Sequence, residues 1–131
     1  MEELTAYAKL ANKLGTCYIR VLADENPKPE GDVDDAQIIE ALKLLVPIAE
    51  EYNVTMCVET NGVYSDTKRL RNILDAVNCR KIAALWDIHH PYRNCGETPA
   101  ETVANLGEFI KYVHVKDSVC VNGEVSYRMM G

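Results

Sequence analysis

The sequence has little basic charge and no long apolar run. Its 131 residues include 14 Lys and Arg against 20 Asp and Glu, which gives a formal net charge of −6. An acidic chain disfavours nonspecific binding to nucleic acid, because the phosphates attract basic surfaces. No apolar run approaches the ~20 residues of a transmembrane helix, and the acidic N-terminus has no signal-peptide pattern. We therefore expect one globular domain over residues 1–131 that binds neither nucleic acid nor a membrane.

Paired cysteine motifs are also missing. The five cysteines are odd in number and scattered, and none forms a CxxC pair. This pattern predicts a reducing compartment, the cytoplasm, without a disulfide framework. Cys17 and Cys57 lie inside apolar runs, so we expect both to be small core residues. The sequence also lacks the GxGxxG, GxxxxGK[ST], GxSxG and HExxH motifs of nucleotide binding, serine hydrolysis and zinc proteolysis.

The chain alternates between helical and strand patterns. Apolar residues at steps of three and four predict one helix before residue 15 and a second over 38–52. A third helix is expected after a Ser65 cap, with Leu70 to Val77 facing the core. A fourth is expected from a capping box at Thr98, with Val103, Leu106 and Ile110 facing the core. Apolar, β-rich runs predict strands over 17–22, 54–59, 82–87 and 111–116. Residues 24–35 and 89–96 are expected to be long loops, either functional or mobile. Asn122-Gly123 predicts a final hairpin.

This order predicts an α/β fold with about four parallel strands, covering helices and a C-terminal hairpin. In a parallel sheet the carboxyl ends of all strands lie at one edge, where α/β proteins bind ligands. The groups that end the four strands are Arg20, then Glu59, then Asp87 with His90, and finally His114 with Lys116 and Asp117. We therefore expect these side chains to gather at one rim.

The spacing of the acids and the histidine favours a metal site. Asp87 follows Glu59 by 28 positions and His114 follows Asp87 by 27, and each interval is the length of one strand–helix unit. Two carboxylates and an imidazole suit Mn²⁺, Mg²⁺, Co²⁺ or Zn²⁺, and three protein ligands leave positions open for substrate.

Each candidate residue also has an ordinary structural interpretation. Glu59 and Asp87 could cap turns, and His114 could be a hydrogen-bonded core histidine. Arg20 and Lys116 could neutralise nearby acids, and Asp117 could form an Asx turn. Cys95 follows two histidines, so a thiol nucleophile is conceivable.

Three segments together resemble a known family. "VET" at 58–60, "WDIHHP" at 86–91 and "YVHVKD" at 112–117 resemble the sugar phosphate isomerase/epimerase family, which has the xylose isomerase-like (β/α)8 barrel. The segment "AKLANKLGTCYIRVL" at 8–22 is similar to that family's helix and strand before the metal-binding units. The resemblance covers nearly the whole chain in one register.

The resemblance implies roles for individual residues. Glu59, Asp87 and His114 match three ligands of a divalent metal, and His90 matches a histidine that contacts substrate. The implied reaction removes an α-proton from a sugar or keto acid with Glu59 and forms an enediolate supported by His90 and Lys116, with Arg20 as a further substrate contact. The family's second catalytic glutamate corresponds to Ser65 here, which is a departure from the two-glutamate epimerase mechanism. The fourth metal ligand would lie on a later strand.

The resemblance also implies an incomplete barrel, because a full one has ~250 residues. We expect a partial (β/α)8 barrel that forms a homodimer by joining two half-barrels, with a flattened, flavodoxin-like sheet as the alternative geometry. A dehydratase on the same scaffold and a non-catalytic oligomerising module remain rival functions. The endonuclease branch of the superfamily is disfavoured by the acidic charge and the three histidines.

Overall fold

The computed structural model describes residues 2–131 and is built around a four-stranded parallel sheet. The helices are α1 (Glu2–Leu14), α2 (Asp35–Glu51), α3 (Thr67–Val77), α4 (His89–Cys95) and α5 (Pro99–Leu106), with 3-10 turns at Gly62–Ser65 and Gly107–Phe109. The sheet has the order β1 (Tyr18–Val21), β2 (Thr55–Glu59), β3 (Ile82–Asp87) and β4 (Ile110–His114). A separate hairpin contains β5 (Asp117–Val121) and β6 (Glu124–Arg128). The fold is therefore a partial (β/α)8 barrel, as the sequence predicts.

The two faces of the sheet have different partners. Met56 and Val58 on β2 pack against the helices in the main apolar core. The side chains between them point the other way, since successive strand residues alternate faces. Cys57, Ala83 and Leu85 form a separate buried cluster on this second side, which we call the inner face. Glu59 and Asp87 share the inner face, because each lies two residues beyond a member of that cluster.

A β-bulge sets the orientation of β4. Ala84 on β3 pairs with Ile110, but the next residue, Leu85, pairs with Tyr112. Lys111 is thus the extra residue, and after it Asp87 pairs with His114. A shift of one residue moves a strand's side chains to the opposite face. The bulge therefore places His114 on the inner face beside Asp87.

Several predicted details of the helices are wrong. Residues 89–95 form the short helix α4 rather than a loop. The cap of α3 is Asp66, whose carboxylate accepts the Lys68 and Arg69 amides, whereas Ser65 lies in the buried 3-10 turn. The capping box of α5 at Thr98 is confirmed, but Val103 is exposed and Thr102 is buried in its place. In a helix this short, periodicity alone does not correctly predict which residues are buried.

The expected core role of one cysteine is also wrong. Cys17 is exposed because it lies directly before the edge strand β1, which is itself only partly covered, whereas Cys57 on the central strand β2 is buried as predicted. Cys57 lies on the inner face, so the sheet and its neighbouring side chains cover it.

The C-terminal hairpin is confirmed and is attached to α4. Asn122 and Gly123 have φ values of 51° and 83°, which suits a type I′ turn. Arg93 of α4 donates to the Ser118 hydroxyl at 3.1 Å and to the Ser118 carbonyl at 2.6 Å. This contact holds β5 against α4, directly after Lys116.

The long loop between β1 and α2 is anchored near the rim. Asp24 is buried, and its Oδ2 accepts the Val63 backbone N–H at 2.9 Å. The Asn61 amide donates to the Asp24 and Asn26 carbonyls at 2.9 and 3.2 Å. Gly62 has φ +56°, and a Cβ there would lie 2.1 Å from Asp24 Oδ2. The close approach of the two loops therefore requires glycine.

Replacing Gly62 by alanine should destabilise the fold by ~3 kcal/mol, since backbone strain and the clash with Asp24 both act. Gly15→Ala is the matched control, because Gly15 also has positive φ but nothing within 4 Å of the added Cβ. That control should lose only about 1 kcal/mol. Urea unfolding measures both free energies, and equal losses would contradict an anchored loop.

Candidate metal centre

The structure brings three predicted ligands together at the carboxyl edge of the sheet. Glu59, Asp87 and His114 are the last residues of β2, β3 and β4. One donor atom from each lies within 4.8 Å of the other two. Both carboxylates are 2% exposed, so they are shielded from bulk water. Neighbouring parallel strands thus carry distant parts of the chain to one point.

Glu59 is bound on both of its oxygens. Arg20 of β1 donates to Oε2 through Nε at 2.7 Å and also through Nη2. His114 Nδ1 lies 2.9 Å from Oε1. The Arg20 side chain is 51% exposed, although its partner is buried. The predicted position of Arg20 at the rim therefore has a specific contact.

Asp87 is held by a second set of partners. Its Oδ2 accepts Lys116 Nζ at 2.8 Å, and its Oδ1 accepts the His89 backbone N–H at 2.9 Å. Burial raises the pKa of the Asp87 carboxyl, but the Lys116 ammonium and the His89 N–H outweigh burial and hold that pKa below its ordinary value. Asp87 is therefore kept ionised, which a metal ligand requires.

Thr60 fixes the geometry around Asp87 and His90. The Thr60 hydroxyl donates to the Asp87 carbonyl at 3.2 Å and accepts the Asp87 N–H at 2.9 Å. The Thr60 carbonyl lies 2.9 Å from His90 Nδ1, and because a carbonyl only accepts, Nδ1 carries the hydrogen. Nε2 of His90 is then free to accept Lys116 Nζ, which lies 2.7 Å away.

A second group of possible donors consists of Asp87, His89 and His90. Lys116 contacts both Asp87 Oδ2 and His90 Nε2, so an ammonium already bridges two members of this group. The third member, His89, is buried and has its Nε2 2.6 Å from the Ser118 hydroxyl. Burial and the Lys116 charge lower the pKa of His89, which favours the neutral ring.

A small cavity lies on the inner face below the rim. It has a volume of about 180 Å³, and its lining residues are Thr16, Tyr18, Arg20, Cys57, Leu85, Tyr112 and His114. Tyr18 and Tyr112 contact each other in this lining, with their ring centroids 5.9 Å apart. Its polar walls suit the body of a small hydroxylated molecule whose reacting end reaches the rim.

Three other candidates have no place in the donor set. Asp117 accepts the amide of the next residue, Ser118, at 2.7 Å. Ser65 is fully buried, and its hydroxyl accepts the Asn94 amide at 3.4 Å. Burial and two nearby carboxylates raise the pKa of the Cys95 thiol, which disfavours the thiolate that a nucleophile needs.

The roles of Thr60, His89, Arg93 and Ser118 were not predicted from the sequence. Thr60 follows Glu59 directly, so its position after a strand was a usable signal. His89, Arg93 and Ser118 act through the packing of α4 against the hairpin. No pattern in the sequence predicts that contact.

The rim residues fit a divalent cation. Protein ligands lie ~2.0–2.6 Å from such ions, so one ion can bridge donor atoms that are up to 4.8 Å apart. Carboxylate and imidazole donors suit Mn²⁺, Co²⁺ and Zn²⁺, and carboxylates also suit Mg²⁺. The two positive charges of such an ion would balance the two negative charges of Glu59 and Asp87.

Nearly the whole chain matches one protein family. Residues 1–130 match the model of the xylose isomerase-like TIM barrel. The chain belongs to this family. Its partial barrel is therefore the family fold, and the rim of that barrel is the place to look for function. No curated protein matches the chain significantly.

Solved structures show the same fold at low identity. A xylose isomerase domain protein from Planctomyces limnophilus has a TM-score of 0.75 and 18% identity, over 99% of this chain and 48% of its own. The IOLI protein with a bound zinc atom has a TM-score of 0.71 and 19% identity, over 89% of this chain and 44% of its own. The probable 3-DHS dehydratase AsbF from Bacillus anthracis has a TM-score of 0.77 and 20% identity, over 89% of this chain and 43% of its own.

The chain spans less than half the length of these three solved relatives. The four strands correspondingly make about half of an eight-stranded barrel. Among residues 2–131, no helix combines the length and the apolar character needed to cross a membrane.

Mutation of the three rim ligands should weaken metal binding. Glu59→Gln, Asp87→Asn and His114→Ala should each lower Mn²⁺ affinity by about 100-fold or more, since outer-shell losses alone reach 10–100-fold. Titration followed by the electron paramagnetic resonance of free Mn²⁺ measures the dissociation constants. Asp117→Asn is the matched control and should leave the affinity unchanged. Equal affinities in all four variants would place the ion elsewhere.

Proposed function

We propose that the chain carries half of a divalent-metal-dependent sugar or sugar phosphate isomerase that acts through an enediolate. The observation that supports this proposal best is the convergence of Glu59, Asp87 and His114 at the rim of a family barrel. The substrate class is an α-hydroxy aldehyde or ketone. Its small polar body suits the cavity on the inner face.

Glu59, Asp87 and His114 would hold the metal. When bound, a divalent ion supplies polarisation of the substrate carbonyl and so makes the neighbouring C–H more acidic. The zinc atom of the IOLI protein supports a divalent metal in this fold. The chain itself supplies the shielded carboxylates and the groups that move protons.

Glu59 is proposed as the base. Its two oxygens face different neighbours, His114 and Arg20, so one oxygen can hold the metal while the other takes a proton. Glu59 would remove the proton from the α-carbon, the C–H electrons would form a C=C bond, and the π electrons of the carbonyl would move to its oxygen. After exchange of its proton with solvent, the same carboxyl group would protonate the adjacent carbon, while a proton passes from the neighbouring hydroxyl oxygen to the former carbonyl oxygen.

Lys116 and His90 would support the charge that develops on oxygen. Lys116 donates to His90 Nε2 at 2.7 Å, and the Thr60 carbonyl orients the His90 ring. The ammonium therefore lies beside the rim, where it can donate to an enediolate oxygen. His90 and Arg20 are the proposed substrate contacts.

A single base favours isomerisation over epimerisation. One carboxylate can remove a proton and return it on the same face of an enediolate, whereas epimerisation needs an acid on the other face. By the family resemblance, Ser65 corresponds to the second glutamate. A serine hydroxyl is not an acid at neutral pH, and Ser65 is fully buried. We therefore favour transfer between neighbouring carbons.

A dehydratase on the same scaffold is the second candidate. The structural similarity to the probable 3-DHS dehydratase AsbF, with a TM-score of 0.77, favours it. The first step would be the same proton removal, followed by loss of a β-hydroxyl group as water.

The cytoplasmic location expected from the cysteines stays a prediction.

The reaction can be assigned by product analysis in D₂O with Mn²⁺ and a panel of aldoses, ketoses, their phosphates and hydroxy acids. An isomerase should give interconverted aldose and ketose with deuterium at the α-carbon, measured by NMR. Glu59→Gln should lower turnover by about 100-fold or more, while Asp117→Asn should not. Loss of water would identify the dehydratase, and full activity of Glu59→Gln would overturn the assignment of the base.

We also propose that two copies join to complete the barrel. In residues 2–131, β1 and β4 are the edges of the sheet, and Tyr18 and Tyr112 on the inner face are 38% and 47% exposed. A twofold axis along the barrel would pair β4 of each copy with β1 of the other, and all eight strands would be parallel. Such a closure removes both edges and covers the tyrosines.

Size-exclusion chromatography with light scattering should give twice the mass of one chain. Tyr112→Asp should shift the protein to monomer, because closure would bury the new charge. Val121→Lys on the exposed hairpin should have no effect, since the proposed seams do not include the hairpin. A wild-type monomer at all concentrations would rule the dimer out.

A further inference from the structure

Two basic side chains occupy the carboxylates that would bind the metal. Arg20 contacts Glu59, and Lys116 contacts Asp87 at 2.8 Å. Each basic side chain is partly exposed, 51% for Arg20 and 31% for Lys116, whereas each carboxylate is 2–3% exposed. The cations are therefore the members of both pairs that can extend into water when displaced, since long charged side chains reach solvent easily.

The charges of these four groups cancel. A buried carboxylate without a partner is strongly destabilised, so the cations stabilise Glu59 and Asp87 when no metal is bound. A divalent ion on the same two carboxylates would lie a few ångströms from both cations. Like charges repel at that distance, and the burial of the carboxylates reduces the screening by solvent. The metal and the two cations therefore compete for the same carboxylates.

Competition changes the charge of the rim. With Arg20 and Lys116 free and a divalent ion on Glu59 and Asp87, the rim would have a net positive charge of about two. The chain as a whole is acidic, with a formal charge of −6, so this positive charge is local. The guanidinium offers a fork of donors that matches oxyanions, and the ammonium adds a point charge.

We propose that divalent metal displaces Arg20 and Lys116 from Glu59 and Asp87, and that the two released side chains then bind an oxyanion group of the substrate. The inference rests on the proposed metal-dependent function and narrows its substrate to a phosphorylated or carboxylated compound. Oxyanion binding is then conditional on the metal, because the same cations are neutralised by the carboxylates without it.

The first test is the Mn²⁺ affinity of variants that lack a competing cation. Arg20→Gln and Lys116→Gln should each bind Mn²⁺ about tenfold more tightly than the wild type, since one competitor is gone. Arg20→Lys keeps the charge and should remain near the wild type. The matched controls are Arg71→Gln and Lys43→Gln, which break the surface pairs with Asp75 and Glu40 and should change nothing.

The second test follows oxyanion binding in the same proteins. The relaxation of ³¹P in inorganic phosphate and of ¹³C in acetate reports binding close to the protein-bound Mn²⁺. Enhancement by the loaded wild type is expected for at least one probe, and the stronger probe distinguishes phosphate from carboxylate. Both Gln variants should lose about tenfold in oxyanion affinity while gaining metal affinity. Direct coordination to the metal alone would leave the enhancement unchanged in these variants.

The outcomes separate this inference from the proposed function. If the wild type binds no Mn²⁺, the metal-dependent function itself fails. If the wild type binds Mn²⁺ but neither Gln variant binds it more tightly, the exchange of cations is overturned and the metal centre stands. Tighter metal binding with unchanged phosphate and acetate relaxation would overturn the oxyanion role. Circular dichroism checks folding, and if Arg20→Gln does not fold, Lys116→Gln decides the result.

Discussion

The burial of two carboxylates at the ends of neighbouring strands is the constraint around which the rim is organised. Ionised carboxylates out of water need partners of opposite charge or donated hydrogen bonds. Glu59 has Arg20 and His114, and Asp87 has Lys116 and a backbone N–H. These contacts connect β1, β2, β3 and the segment after β4. The polar rim thus contributes to holding the strands in register as well as to the proposed chemistry.

The sheet and the loops divide the work of building the site. The strands determine which side chains meet, because parallel pairing brings all carboxyl ends together. The bulge at Lys111 then decides the face on which His114 lies. The anchored loop at Asp24 and Gly62 lies on one side of the rim, and α4 with the hairpin lies on the other. The helix-covered core supports the strands and contributes no candidate ligand.

The incomplete barrel leaves the inner face of the sheet, and with it part of the rim, open to water. The chain spans less than half of its solved relatives, and the sheet has the exposed inner face of an open barrel. A complete barrel would enclose the cavity beside Tyr18 and Tyr112 and exclude water from the rim. Low dielectric strengthens each charge interaction described above. Closure by a second copy would therefore favour both stability and the proposed proton transfer.

The sequence alone determined the α/β order, the four strand positions and the rim candidates, because strand periodicity and strand ends are local properties of the chain. The final contacts were decided by tertiary structure. The bulge in β4, the exposure of Cys17 and Val103, and the role of Thr60 depend on how elements pack and pair. The contacts of Arg20 with Glu59 and of Lys116 with Asp87 depend on distances between residues 39 and 29 positions apart in the chain. Such distances arise only when the strands pair, so periodicity cannot predict them.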